Sequence, residues 1–134
     1  MVRYKFQREK SVLGTVLRPV ADVMLEVNGS IIEAPMYIDS GADISMIPLR
    51  LGKALGFKQS SSEVIYEAKG ISGGVPYILK EITLIFDKHK FKVRLAWALT
   101  EAVPLILGRL DVFNKFRIIF DEQQGFIDFQ EQTQ

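Results

Sequence analysis

Pro35-Met36-Tyr37-Ile38-Asp39-Ser40-Gly41-Ala42-Asp43 is the stretch on which the reading of this chain turns. An apolar run delivers the Asp39 carboxylate into a turn of small residues. Small side chains let backbone amides approach a carboxylate, and Gly41 admits dihedrals that other residues avoid. The Ser40 hydroxyl can donate a hydrogen bond that orients the acid. A plain Asx-type turn at a strand end has the same composition, and Asp-Ser/Thr-Gly arises by chance in roughly one chain in fifteen of this length. The triplet gains meaning only from its surroundings.

Working outward, Val20 to Val27 is apolar and partly alternating and ends at Asn28-Gly29, a strong signal for a two-residue hairpin. The returning strand, Ile31 to Ile38, runs into Asp39. Beyond the turn, Pro48 to Gly56 is the best helix candidate: Pro48 suits a first turn, Leu51, Ala54 and Leu55 share a face, and Gly56 can end it. Glu63 to Lys69 and Pro76 to Phe86 flank the glycine-rich Gly70-Ile71-Ser72-Gly73-Gly74, which predicts a long hairpin. After a polar turn, Asp87-Lys88-His89-Lys90, the residues Phe91, Val93, Leu95 and Trp97 alternate as in a half-buried strand. Leu105-Ile106-Leu107 is a short apolar strand stopping at Gly108, Leu110 to Phe116 fits a two-turn helix, and Arg117–Phe120 with Phe126–Phe129 form a last hairpin. The sum is an all-β, barrel-like domain with one or two short helices.

Composition narrows the chemistry. The 134 residues contain 17 Lys+Arg, 16 Asp+Glu, one His and no Cys, with a net charge of +1. Without Cys there are no disulfides, thiol nucleophiles or thiolate metal sites, and a single His cannot build a multi-histidine metal centre. Near-neutral charge offers no global field for nucleic acid. No apolar run approaches the ~18 residues of a membrane span, and the N-terminus lacks the apolar core of a signal peptide. The expectation is a cytoplasmic protein without metal, cofactor, nucleic-acid or membrane partner. The expected organisation is one domain, 1–134, with its core over about 20–129, a basic segment 1–18 and a polar tail 130–134. Residues 1–18 carry five basic side chains and one Glu, whereas 121–134 carry four acids and no base. Such ends are either two solvated termini or neighbours, within one chain or between chains.

Three landmarks in this order resemble the retropepsin-like aspartic proteases, the half-sized relatives of pepsin. Tyr37-Ile38-Asp39-Ser40-Gly41-Ala42-Asp43 looks like the active-site strand, Gly70-Ile71-Ser72-Gly73-Gly74 like the flap, and Leu105-Ile106-Leu107-Gly108-Arg109 like the second signature, which a short helix follows. The resemblance spans about Val20 to Phe120. It implies a closed-barrel acid-protease half-domain and a homodimer, because the chain holds one Asp-Ser-Gly only. Asp39 of each subunit would then supply one carboxylate of a dyad that activates water to cleave a peptide. Ser40 would grip the opposite turn, with Ala42 completing the support. Gly41 would offer its carbonyl to substrate, and Asp43 would either contact substrate backbone or pair with Arg109. Ile71, Ser72 and Gly73 would close over the peptide. In viral members interleaved termini form much of the dimer interface, which makes the two oppositely charged ends candidates for the seam.

Other readings predict different chemistry. A catalytically silent peptide-binding or dimerisation module of the same fold has no need for the Asp39 carboxylate. Gly70-Ile71-Ser72-Gly73-Gly74 also fits Gly-x-Ser-x-Gly, but a nucleophile elbow requires a helix after it, where Val75 to Leu79 reads as strand. His89, its one potential partner, reads as an exposed loop residue. Nucleic-acid binding through the basic 1–18 segment would show strong salt dependence.

Overall fold

The computed structural model describes residues 1–70 and 73–132. Along the chain come β1 (Val2–Lys5), β2 (Gln7–Ser11), β3 (Gly14–Arg18), β4 (Val20–Val27), β5 (Ser30–Ile38) and β6 (Ser45–Ile47). A short helix, α1 (Leu49–Ala54), precedes β7 (Tyr66–Gly70), β8 (Gly73–Phe86), β9 (His89–Ala98), β10 (Ile106–Leu107), β11 (Phe116–Asp121) and β12 (Phe126–Glu131).

Asn28 and Gly29 both take positive φ, 48° and 86°, as a type I′ turn demands. That turn sets the β4–β5 register, Val27 opposite Ser30 through Val20 opposite Tyr37. Pairing continues in the order β4-β5-β10-β6-β9-β8 and returns to β4 through Met24–Ile85, Leu25–Leu84 and Glu26–Thr83. Six strands therefore close into a barrel, and β7 extends it by pairing with the outer part of β8. Closure consumes the backbone donors and acceptors that an open sheet would leave at its edges.

Side-chain alternation fills the interior. Ala21, Val23 and Leu25 of β4, Ala34, Met36 and Ile38 of β5, and Val93, Leu95 and Trp97 of β9 are buried together with Ile82 and Leu84 of β8. Burial of each large aliphatic side chain contributes about 1.5–3 kcal/mol. The Trp97 indole N–H donates to Leu49 O at 3.0 Å and ties α1 to the barrel. A Cβ at Gly52 would lie 2.1 Å from Trp97 Nε1, so this helix position must be Gly. The face of α1 thus differs from expectation: Gly52 is buried, followed by Leu55, while Ala54 is exposed.

A second helix over Leu110–Phe116 does not form. Residues 110–115 are successive turns, with Val112 and Phe113 N–H both donating to Arg109 O, and Asp111 at φ 65° interrupts helical geometry. A left-handed non-Gly residue costs energy and cannot continue an α-helix. His89 likewise differs from its expected place in an exposed loop. It opens β9, is half-buried, and its ring lies 5.0 Å from Phe116 and 5.5 Å from Phe86.

The N-terminal segment is structured. The basic residues 7–18 form the β2–β3 hairpin, and β1 pairs with β12, which pairs with β11. Phe6 is buried in the core, and its N–H donates to Gly125 O. The oppositely charged ends meet within one chain. Arg3 Nε and Nη2 donate to Asp128 Oδ1 and Oδ2 at 2.7 and 2.9 Å, a bidentate geometry that adds direction to charge.

Candidate active site

Asp39 leaves the barrel where β5 ends, and backbone pairing fixes its position. Tyr37 N–H donates to Leu105 O and Asp39 N–H to Leu107 O at 3.0 Å, so β10 runs parallel to the last residues of β5 and carries the second landmark alongside the first. Gly41 N–H then donates to Asp39 Oδ1 at 2.9 Å, and Ala42 N–H to Asp39 O at 3.2 Å. The expected close approach of a backbone amide to the carboxylate is therefore present. Among the described residues, Asp39 Oδ2 has no hydrogen-bond partner, and neither has the exposed Ser40 hydroxyl.

Gly108 locks the two landmarks together. Its N–H donates to the buried Ser45 Oγ at 2.9 Å, and Arg109 and Leu110 N–H donate to Ala42 O and Asp43 O, each at 2.9 Å. A Cβ at Gly108 would stand 2.5 Å from the Ile44 carbonyl carbon and 2.9 Å from Ala42 O. Backbone cannot retreat from such contacts cheaply, so the glycine preceding Arg109 is a packing requirement. Of the two roles open to Asp43, the structure realises the pairing with Arg109: Asp43 Oδ1 accepts from Arg109 Nη2. Both side chains remain largely in water, Asp43 at 87% exposure.

Beside this turn lies a pocket of about 670 Å³, lined by Ala42, Asp43, Ile44 and Met46 on one side and by Ala68, Lys69 and Tyr77 of the β7–β8 hairpin on another. Ile106 and Leu110 close it. Sequence reading had no assignment for Tyr77, which stacks on Tyr66 with ring centroids 5.6 Å apart. Ser45 and Met46 were also missed, because the three-residue β6 is too short to show a period. Of the hairpin residues, Gly73 pairs with Gly70 at the start of β8, while Ile71 and Ser72 lie outside the described residues. Gly73 opens a strand of fourteen residues rather than a helix, and His89 follows the far end of that strand. A nucleophile elbow therefore has no structural footing here.

Titration separates the ionic groups. Arg94 donates through Nε and Nη2 to Asp111, whose carboxyl is held below its ordinary pKa chiefly by those hydrogen bonds. The Arg3 guanidinium lowers Asp128 in the same way. Burial pushes the Tyr4 phenol up to about 12. No group of three or more metal-ligating side chains occurs among the described residues, and none of their helices is long and apolar enough to cross a membrane.

No family model matches this sequence, and no curated protein does. Solved structures do. A retropepsin-like aspartic protease from Rickettsia conorii superposes with a TM-score of 0.65 at 14% identity, over 95% of this chain and 98% of that one. EIAV protease in complex with the inhibitor HBY-793 gives 0.53 at 23% identity, over 72% of this chain and 86% of that one. The fold is thus that of the retropepsin-like aspartic proteases, an all-β acid-protease half-domain.

Proposed function

We propose that this chain is an aspartic endopeptidase whose active site is assembled from two copies. The observation that supports this most strongly is the Asp39 turn. A carboxylate is oriented by the Gly41 amide on one oxygen, its other oxygen is unpartnered among the described residues, and it stands at a barrel mouth next to an apolar pocket. A structural aspartate of an Asx turn has no need of the pocket or of the rigid Gly108 clasp.

One such carboxylate is half of a catalytic pair. In a two-fold homodimer Asp39 and its symmetry mate face each other, and two ionised carboxylates at contact distance repel, so the pair holds one shared proton. The ionised member takes a proton from a water lying between them as the water oxygen bonds to the scissile carbonyl carbon. The protonated member then supports the tetrahedral oxygen, and proton transfer to the amide nitrogen releases the amine. Ser40 is free to reach the opposite turn. The Gly41 carbonyl and Asp43 contact extended substrate backbone, and Ile71, Ser72 and Gly73 cover it as a flap. The lining of Ile44, Met46, Ile106 and Leu110 favours apolar residues beside the scissile bond. No cofactor enters this chemistry.

The test is incubation with an unfolded polypeptide across pH 3–7, for the wild type and Asp39→Asn. Cleavage by the wild type and its loss in the variant supports the proposal. Equal peptide binding with no cleavage by either protein identifies a binding module of the same fold instead.

A further inference from the structure

The β2–β3 hairpin belongs neither to the barrel nor to the terminal sheet; it is a two-stranded sheet of its own. Such a hairpin is marginally stable at best in isolation, and this one ends in residues that water does not favour. Ser11 stands opposite Gly14, and between them Val12 and Leu13 form the turn, 103% and 86% exposed. Two-residue turns are normally built from Asn, Asp and Gly. Two branched aliphatic side chains at a protruding tip serve no packing need of the fold.

The groups behind the tip are ordered by depth. Strand alternation puts Arg8 and Lys10 on one face with Thr15 and Leu17 opposite them. Both cations are exposed, and neither forms an ion pair among the described residues. Glu9, on the other face, is matched by Arg18 at 3.3 Å. At about 3.4 Å per residue, Lys10 stands about 7 Å behind Val12 and Arg8 about 14 Å. The acidic turn of Asp121 and Glu122 adjoins the far end of the hairpin, where Phe6 N–H donates to Gly125 O. Six residues separate Phe6 from Val12, about 20 Å of strand and more than the screening length of about 8 Å. The turn also meets part of its own backbone demand: the Ser11 hydroxyl accepts from Leu13 N–H and donates to Gly14 O, each at 3.1 Å. That lowers the cost of moving it out of water.

We propose that the β2–β3 hairpin is a contact for an anionic lipid surface, with Val12 and Leu13 entering the boundary of headgroups and acyl chains. Side chains that rest on such a boundary sink about 5–10 Å, the depth that brings Lys10 level with the headgroup phosphates and leaves Arg8 just outside them. A convex tip suits a surface that yields to it, whereas a protein partner needs a matching socket. Nucleic acid would meet the two cations, but its bases stack on aromatic side chains and give a Val-Leu turn nothing to pack on. The lack of a long apolar run, behind the expectation of no membrane partner, bears on spanning helices and not on contact with a surface. The contact also tethers the candidate site. Pro19 O accepts from Ile38 N–H, and the six residues from Leu13 to Pro19 span about 20 Å, so Asp39 lies within about 30 Å of the tip.

Co-sedimentation of the whole chain with vesicles tests it, comparing phosphatidylcholine alone with phosphatidylcholine containing about one-third phosphatidylglycerol. Circular dichroism verifies folding of each variant. The wild type binds the anionic vesicles at least about tenfold more tightly than the neutral ones. Val12→Ser with Leu13→Ser weakens that binding by about tenfold or more, and Arg8→Gln with Lys10→Gln by about tenfold. Leu13→Trp, which keeps an apolar tip, shifts its emission to the blue when anionic vesicles are added. A wild type that ignores anionic vesicles, a Ser variant that binds like the wild type, or an unmoved Leu13→Trp emission overturns the contact. Retention on DNA without vesicle binding assigns the cations to nucleic acid and overturns it too. Peptide cleavage in solution by the Ser variant stays at the wild-type level, so failure of the lipid contact and failure of the protease reading are told apart.

Discussion

Two arginine–aspartate pairs join distant parts of this chain; their arginines are about equally exposed, but their aspartates sit in opposite environments. Arg3 and Asp128 clamp the first strand to the last, with Asp128 8% exposed and its pKa lowered. Arg109 and Asp43 tie the two landmarks at the barrel mouth, with Asp43 almost wholly in water. A shielded bidentate pair holds structure, because losing one partner strands a desolvated charge. A solvated pair contributes little to stability and stays free to meet a ligand. The terminal sheet is thus built to persist, and the mouth is built to exchange partners.

The largest effect expected is at the mouth. Asp39→Asn reduces peptide cleavage by about 10³-fold, in the range of lost general acid–base catalysis, while the melting temperature stays near that of the wild type. Stability that falls with activity would move Asp39 from the exchanging region to the structural one. Gly108→Ala comes next, because its methyl group must enter backbone. It costs about 1–3 kcal/mol, read as a lower denaturant midpoint, and an unchanged midpoint would show that the clasp is loose.

At the terminal sheet, Asp128→Asn lowers the melting temperature by a few degrees and alters its pH dependence. The folded pKa of Asp128 lies below its ordinary value. Its stabilisation is therefore complete above that ordinary value and is lost as pH falls through the folded one; Asp111 behaves alike. Melting followed between pH 6 and pH 2 gives a shallower acid decline in Asp128→Asn than in the wild type. Tyr4, raised to about 12, acts at the other extreme: stability falls as pH rises from about 10, where the unfolded phenol ionises first. The smallest stability change belongs to Asp43→Asn. Its melting temperature is unchanged at neutral pH, while KM for peptide rises. A melting loss as large as that of Asp128→Asn would erase the contrast between the two pairs.

The barrel was legible where local chemistry is strong. Asn28-Gly29 announced β4 and β5, the alternation Phe91, Val93, Leu95, Trp97 announced β9, and the strands expected before Asp39 and Gly108 are present as β5 and β10, whose pairing the structure adds. Less legible were elements held by distant partners. In β2, Gln7–Ser11 shows no apolar period and forms because β3 folds back on it. Three-residue β6 exists because β9 and β10 flank it. Leu110–Phe116 looked helical by composition, but the Asp111 carboxylate is drawn to Arg94, whose backbone N–H and guanidinium both donate to it. Local propensity yielded there to an ion pair seventeen residues away. At the site, Asp39, Gly41 and Arg109 could be read from their motifs, whereas Tyr77 reaches the pocket only through the register of β8 on β7.

The shared dyad is tested most directly by cleavage activity per molecule, followed on dilution through the range in which sedimentation shows the dimer giving way to monomer. Activity per molecule should fall in parallel with the dimer fraction, because a lone chain owns one Asp39. Activity that stays constant per molecule when only monomer remains would contradict it.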